Sequence, residues 1–197
     1  MKPRRLICIL SYASIFHFMI QELTIASINL NWDKLFNGDI IIDTVSNTDG
    51  IPGIELMMTV TASRERIWKT LTDYENFSTI FKDLEKIKVL EQNHAGAYVE
   101  FWIDAVFTKY HYIIYRHYEK PQRLLRWKRV AGDLERTEGS WEIHDTPRPE
   151  AKLLIYKSYV KLGSALPKSW LRWGAIRQAQ AMGRHLRKTL EALPSKD

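Results

Sequence analysis

Any catalytic or metal chemistry in this chain would rest on carboxylates and histidines, because its single cysteine is Cys8, near the N-terminus. His111 and His117 share a face of one predicted strand but are six residues apart. At about 3.3 Å per residue the gap is roughly 20 Å, too far for one metal ion. Glu100 and Asp104 fall on the more polar face of their strand and should meet water. The sequence therefore predicts no metal site and identifies no catalytic pair.

Two arginines raise a different question. Arg116 and Arg126 fall on strand faces that are opposite to the apolar face or ambiguous with it, so we expect both at the surface. A guanidinium that pointed inward instead would suit a ligand carboxylate or carbonyl. No Ser-His-Asp order, phosphate-binding glycine loop or nucleotide fingerprint is present. Enzymatic activity is thus left open, and the sequence favours a protein that does not catalyse a reaction.

The first residues have the layout of a secretory signal peptide. A basic segment over 2–5 precedes an apolar run over 6–20, and 24–26 offer small residues before a cleavage point at Ser27. The run has 15 residues, short of the roughly 20 that span a bilayer. We predict that residues 1–26 are removed and that the protein is periplasmic or secreted. The alternatives are an uncleaved membrane anchor and an ordinary buried helix.

Strands dominate the middle of the chain. Apolar and polar residues alternate there with period two, as in half-buried strands, and short turns between the runs indicate an antiparallel meander. Ser63 and Glu65 suit the start of a short helix, and the aromatic segment DYENF at 73–77 suits a second one. The predicted strands cover 39–45, 54–61, a run from 87 to the turn at 94–96, 99–107, 110–118, 124–130, 133–144 and 154–160.

A long helix is predicted from Pro167 to about Leu193. Its apolar residues recur at steps of three and four, so they form one continuous stripe that needs a broad apolar partner. The concave face of the meander is the candidate. The stripe consists of Leu171, Ala175, Ala179, Met182, Leu186, Leu190 and Leu193.

The opposite side of this helix combines tryptophan with basic residues. Trp170 and Trp173 lie there at 100° per residue, together with Arg177, Arg184 and Lys188. Amphipathic aromatics beside Lys and Arg are typical of helices that rest among anionic headgroups, so contact with an anionic membrane surface is one hypothesis for this side. The pattern favours the other interpretation, that the tryptophans pack on the neighbouring loop and the basic row only keeps the protein soluble.

Three segments carry a family resemblance. They read VTASRERIWKTLTDYENFSTIF from residue 60, GDLERTEGSWEI from 132 and PKSWLRWGAIRQAQAMGRHLRKTLEAL from 167. The chain resembles the START-like superfamily of polyketide cyclases, dehydrases and lipid-transport proteins, and in GDLERTEGSWEI its coenzyme Q-binding/ribosome-toxin-like branch. Relatives tend to carry Pro, often followed by Gly, where this chain has Lys82 and Asp83. The mouth of its cavity is therefore expected to differ in shape.

The resemblance implies an α+β helix-grip fold. A curled antiparallel sheet of about seven strands would carry two short helices after its first core strand, and a long C-terminal helix would cover its concave face. The corresponding division is a signal peptide over 1–26, an extension with one strand over 27–53, the START-like domain over 54–193 and a tail over 194–197.

The resemblance also implies a function. We expect an exported binder or carrier of a hydrophobic small molecule, such as a lipid, an isoprenoid quinone or a polyketide-like compound, held between sheet and helix without a cofactor. A cyclase or dehydratase and a protein-interaction module are the alternatives. Nucleic acid is not an expected partner, since the fold places most aromatics inside. The expected ligand-binding residues are Phe101, Ile103, Tyr112, Trp127, Trp141, Leu171, Met182 and Leu186.

Overall fold

A computed structural model describes residues 30–105, 108–163 and 168–192, without the side chains of 105, 108 and 168–171. It has the α+β helix-grip fold that the sequence predicts. A short helix, α1, and a strand, β1, precede the core strand β2, and two short helical segments follow it. The elements are α1 (Trp32–Phe36), β1 (Ile41–Ser46), β2 (Pro52–Val60), α2 (Arg64–Thr72), a 3-10 helix (Tyr74–Thr79), β3 (Leu84–Asn93), β4 (Gly96–Ala105), β5 (Thr108–Lys120), β6 (Leu124–Gly132), β7 (Arg136–Asp145), β8 (Lys152–Lys161) and α3 (Lys168–Glu191).

The described strands form one antiparallel sheet in the order β1-β2-β8-β7-β6-β5-β4-β3. Strands β3 to β8 are neighbours in chain order, whereas β2 pairs with the last of them, β8. The segment between β2 and β3 must therefore cross from one side of the sheet to its far edge. This crossing explains why α2 and the 3-10 helix interrupt the strands at this point.

The sheet has eight described strands rather than about seven, because β1 adds to the outer edge of β2. Its curl is assisted by irregular register in two places. Between β3 and β4 the pairing shifts at Leu84/Lys86 and at Val89/Glu91. Between β5 and β6 it shifts at Ile113/Ile114, close to Gly132, whose φ of 106° is open to glycine at little cost. Such bulges increase local twist and bend the strands.

The long helix covers the sheet as its apolar stripe predicts. Of the described stripe residues, Ala179, Met182, Leu186 and Leu190 are buried, and Ala175 is half-buried against the same core. Gly183 allows the closest approach to the sheet, since a Cβ at this position would lie 3.1 Å from Ile40 Cδ1 and 3.2 Å from Leu56 Cδ1. The helix is therefore seated on β2 and on the segment that leads into β1.

Local capping explains where α2 begins. Ser63 has extended backbone angles, and its side chain accepts a hydrogen bond from the Arg66 N–H at 3.2 Å. Ile67 and Leu71 then face the core. Among the helices of the described residues, none is long and apolar enough to cross a membrane.

Candidate ligand site on the concave face

The interior of the sheet is divided into two apolar clusters. The first, which we call the helix cluster, lies under α3 and includes Trp141, Met182 and Leu186. The second, the edge cluster, lies between the 3-10 helix and strands β3 to β5. Among the described residues, the two that pack against both clusters are half-buried aromatics, Phe81 and Trp127. The zone between the clusters is thus lined by rings that are not fully buried.

Strand β5 places polar groups in this zone. Tyr112, Arg116 and Tyr118 share the inner face of the strand with the buried Ile114, because alternate side chains point the same way. Arg116 is paired with Ala97 on one side and with Trp127 on the other. The inner face of β5 therefore offers two phenols and a guanidinium to an otherwise apolar space.

Arg116 is buried, with 4% of its surface exposed, so the interpretation that placed it at the surface is wrong. The pattern misled because both faces of β5 carry aromatic rings, for example Tyr115 outward and Tyr112 inward, and alternation then does not discriminate between them. Arg126 fits the surface expectation. Its Nε donates to Glu119 Oε2 at 2.7 Å on the outer face.

The guanidinium of Arg116 is held by the crossing segment. Its Nη2 donates to the carbonyl oxygen of Leu71 at 3.2 Å, near the C-terminal end of α2. Its Cζ lies 5.1 Å from the ring centroid of Tyr74 and 4.9 Å from that of Phe77. The Nε is buried and has no hydrogen-bond partner within the described part of the chain. The buried polar and charged residues of that part are Thr59, Arg116, Thr137 and Ser140. Of these, Arg116 alone carries a charge.

Three tyrosines surround the same space. Burial raises the pKa of Tyr112, Tyr118 and Tyr156, and the positive charge of Arg116 partly offsets each rise. The side chains of Tyr112 and Tyr156 are nevertheless only half-buried. Side chains that are enclosed by protein and still accessible are expected beside internal space, not within a filled core.

The Tyr118 hydroxyl is part of a polar chain at the α2 end of this space. It lies 2.9 Å from the hydroxyl of Tyr74, and it accepts a hydrogen bond from Gln92 Nε2 at 3.3 Å. The hydrogen bond with Tyr74 adds to burial in raising the pKa of Tyr118. The phenol consequently stays protonated at neutral pH and can act as a hydrogen-bond donor.

Aromatic rings form the wall on the opposite side. Tyr156 on β8 lies between two tryptophans, with ring centroids 5.5 Å from Trp127 and 4.7 Å from Trp141. Gly139 makes this arrangement fit, because a Cβ at that position would overlap with the Trp127 ring and with the Lys157 carbonyl oxygen. Gly139 in β7 thus leaves room for the Trp127 ring on the inner face of the sheet.

The sequence-predicted ligand residues fall around these two clusters. Phe101, Ile103 and Tyr112 belong to or border the edge cluster, and Trp127 joins both clusters. Trp141, Met182 and Leu186 belong to the helix cluster, and the side chain of Leu171 lies outside the described residues. A ligand-binding role for this set stays a prediction.

Sequence reasoning missed Tyr118 and Tyr156 as members of the site, and it gave an inward Arg116 only as the alternative to a surface position. The available signal was the spacing of Tyr112, Arg116 and Tyr118, which have equal parity along one strand. The loop before β3, where the sequence analysis expects a cavity mouth of different shape, is linked to α3. Asp83 Oδ2 accepts a hydrogen bond at 2.8 Å from Gln178 Nε2 of α3.

The outer face of the sheet carries the paired charges. Glu100 Oε1 lies 2.7 Å from His111 Nε2, and Glu142 Oε2 lies 3.1 Å from His144 Nε2. The hydrogen bond with His144 lowers the pKa of Glu142, and the nearby Lys157 lowers it further. No group of three metal-ligating side chains occurs within the described ranges. The acidic side chains named here therefore meet solvent and not the tyrosines.

Residues 60–187 match the model of a protein family described as polyketide cyclase / dehydrase and lipid transport. The chain belongs to this family. The matched range runs from the end of β2 into the last turns of α3, and so contains Tyr112, Arg116, Trp127 and Tyr156 of the concave face. The narrower likeness to the coenzyme Q-binding branch stays a prediction.

Solved structures of the same fold include proteins with different roles. A STAR-related lipid transfer protein from Xanthomonas axonopodis has a TM-score of 0.60 at 18% identity, over 75% of this chain and 93% of that one. The Zhui aromatase/cyclase from Streptomyces sp. R1128 has a TM-score of 0.58 at 18% identity, over 77% and 98%. Human StAR-related lipid transfer protein 5 has a TM-score of 0.64 at 10% identity, over 79% and 83%. At such identities the likeness shows the fold alone, and no curated protein sequence matches the chain significantly.

Proposed function

We propose that this protein binds and carries a hydrophobic small molecule, such as a lipid, an isoprenoid quinone or a polyketide-like compound, between the sheet and α3. The observation that carries the proposal is the state of Tyr112 and Tyr156. Tyr112 packs against the edge cluster and Tyr156 against the helix cluster, yet both side chains are only half-buried. An apolar space with a few convergent polar groups is the usual form of a small-molecule site.

A carrier is favoured over a cyclase or dehydratase by the chemistry of the lining. The relatives of this fold include both lipid transfer proteins and an aromatase/cyclase, so the family alone does not decide. The polar groups found in the described part of the zone include phenols, the Ser158 hydroxyl that hydrogen-bonds Tyr156, and one guanidinium. A tyrosine with a raised pKa keeps its proton at neutral pH and is a poor general base. Such groups orient a ligand better than they remove a proton from it.

We propose further that residues 1–26 are a cleaved signal peptide and that the protein acts outside the cytoplasm. The support is the basic segment, the apolar run and the small residues before Ser27. The intact mass of the protein from its native host should correspond to a chain that begins near Ser27. A cytoplasmic protein that retains Met1 would contradict this.

An anionic membrane is the proposed place of exchange. Trp173 is 59% exposed on α3, and the Arg177 guanidinium lies 5.3 Å from its ring. Arg184 and Lys188 are exposed farther along the same helix. From residue 151 to 190 the chain has nine Lys or Arg and no acidic residue. This charge complements anionic headgroups, and an exposed tryptophan supplies an apolar contact.

The binding proposal is tested by native mass spectrometry of the purified mature protein, with organic extraction of what co-purifies. We expect a bound hydrophobic compound in the wild type. Met182→Trp should remove it by filling the space under α3, with little change in thermal stability. Gln180→Trp places the same ring on the exposed side of α3 and is the matched control.

The alternative to a cavity is a solid core, and the same variants distinguish the two. In a solid core, Met182→Trp would overpack and cost about 1–3 kcal/mol of unfolding free energy. The wild type would then carry no compound. Turnover of an extracted polyketide-like compound by the wild type would instead establish the enzyme alternative.

A further inference from the structure

The buried charge of Arg116 is not accounted for by its protein contacts. A buried guanidinium is normally paired with a carboxylate, because removing an ion from water is costly. Arg116 has 4% exposure, forms no ion pair with a described residue, and leaves its Nε buried without a partner. Of the five N–H groups of an arginine, one donates to Leu71. The guanidinium retains donors that nothing on the described chain uses.

We infer that Arg116 is the anion-binding residue of the site and that the natural ligand is an amphiphile with a terminal carboxylate. This inference rests on the proposed function, because it assigns the polar end of the same ligand. The apolar remainder would lie against the rings of Trp127 and Tyr156, whose centroids are 5.5 Å apart.

The contacts that Arg116 does make leave its Nε without a described partner. The Cζ atom lies 5.1 Å from the Tyr74 centroid and 4.9 Å from the Phe77 centroid, and the two centroids are 5.1 Å apart, so both rings lie on one side of the guanidinium. A guanidinium edge that includes Nε is the geometry that suits a carboxylate, which accepts from it in parallel hydrogen bonds. The rings and the Leu71 carbonyl hold the fork in place but carry no full negative charge.

The groups around Arg116 favour a singly charged ligand. Tyr112 and Tyr118 lie on the same face of β5 as Arg116, and the positive charge of Arg116 acts on both phenols and on that of Tyr156. Protonated phenols add neutral donors to a carboxylate, whereas a phosphate would call for further cations. Arg129 also has a buried Nε, but it is only half-buried and donates at 2.7 Å to the Gly132 carbonyl at the end of its own strand. The hydrogen bond to Gly132 therefore explains the position of the Arg129 side chain.

The test compares two probes that differ only at the polar end. Binding of oleate and of oleyl alcohol to the mature protein is measured below their aggregation concentrations by displacement of a fluorescent apolar dye. We expect the wild type to bind oleate about tenfold or more tightly than the alcohol, as a charge-assisted hydrogen bond implies. Arg116→Gln should abolish this preference and leave affinity for the alcohol within about twofold.

A neighbouring arginine is the matched control. Arg126→Gln removes the same group from the adjacent strand, but on the outer face where it pairs with Glu119. It should leave the preference for oleate intact. Arg116→Lys keeps the charge without the planar fork and should retain only part of the preference. Thermal unfolding and alcohol binding report whether each variant is folded.

The outcomes separate the two claims. Equal affinity of the wild type for oleate and the alcohol would overturn the carboxylate inference and leave the binding function in place. This comparison needs no variant, so misfolding of Arg116→Gln does not weaken it. A wild type that binds neither probe and carries no compound would overturn both claims. A preference for oleate that survives Arg116→Gln would show that another residue binds the anion.

Discussion

The two faces of strand β5 differ in how their charged side chains are compensated. On the outer face, His111 meets Glu100 at 2.7 Å within reach of solvent. On the inner face, Arg116 is buried and meets rings and one carbonyl group instead of a carboxylate. On the outer face, opposite charges are paired in contact with solvent, which lowers the free-energy cost of each charge. No described carboxylate pairs with the buried cation of the inner face, which is why we infer that a ligand supplies the anion.

The largest effect on stability is expected at Gly139, on the inner face of the sheet. Gly139→Ala should destabilise the protein by about 3 kcal/mol, because its Cβ would overlap with Trp127 and with the Lys157 carbonyl oxygen. Chemical denaturation at neutral pH measures the change. Gly174→Ala on α3 is the control, since a Cβ there meets no atom within 4 Å. It should be neutral or stabilise the helix by up to about 1 kcal/mol. Equal effects of both variants would mean that the inner face is not closely fitted.

The ion pairs of the outer face should make the stability of the protein depend on pH. The pKa of Glu142 is lowered in the folded protein by His144 and Lys157, and Arg126 adds to the effect. Its contribution to stability is therefore complete above the ordinary carboxyl pKa of 4.5 and is lost as the pH falls through the lowered value. Glu142→Gln should cost roughly 0.5–1 kcal/mol at pH 7 and nothing in strong acid. Denaturation curves at pH 7 and about pH 3 test this difference.

The control for this pH dependence is Glu75→Gln, which changes an exposed carboxylate of the 3-10 helix. Its stability difference from the wild type should vary little over the same range. A loss for Glu142→Gln that is as large in acid as at neutral pH would contradict an electrostatic origin.

The exposed side of α3 should give the smallest effect. Trp173→Ala should reduce co-sedimentation with vesicles that contain anionic lipid by a few-fold, since one exposed ring supplies a small apolar area. Raised salt should weaken binding of the wild type, because the contact with headgroups is electrostatic. Val130→Ala removes an exposed apolar side chain from a strand and should change nothing. Equal recovery of every sample in the supernatant, at low and raised salt, would exclude membrane docking.

Local patterns were sufficient for most of the architecture. The cap at Ser63, the alternating strands and the three- and four-residue steps of α3 are signals that a chain carries in its neighbouring residues. The added strand β1 was visible as a strand, but its place beside β2 was not, because pairing between distant segments leaves no local mark.

The site was less accessible to such reasoning. Tyr112, Trp127 and Trp141 were among the ligand-binding residues that the family resemblance implies, and they belong to or border the two clusters of the concave face. Arg116 was misplaced because β5 has rings on both faces, and hydropathy then assigns no inside. Only the pairing of Arg116 with Ala97 and Trp127 decides which way it points.

The sequence by itself determined the family, the order of elements and the apolar stripe of α3, because these depend on residues that are close in the chain. The tertiary structure decided that a charge lies inside. Leu71, Tyr74 and Phe77 come together around Arg116 only after the crossing segment closes over the curled sheet. The cost of that buried charge depends on which groups the fold brings near it, and no spacing along the chain contains this information.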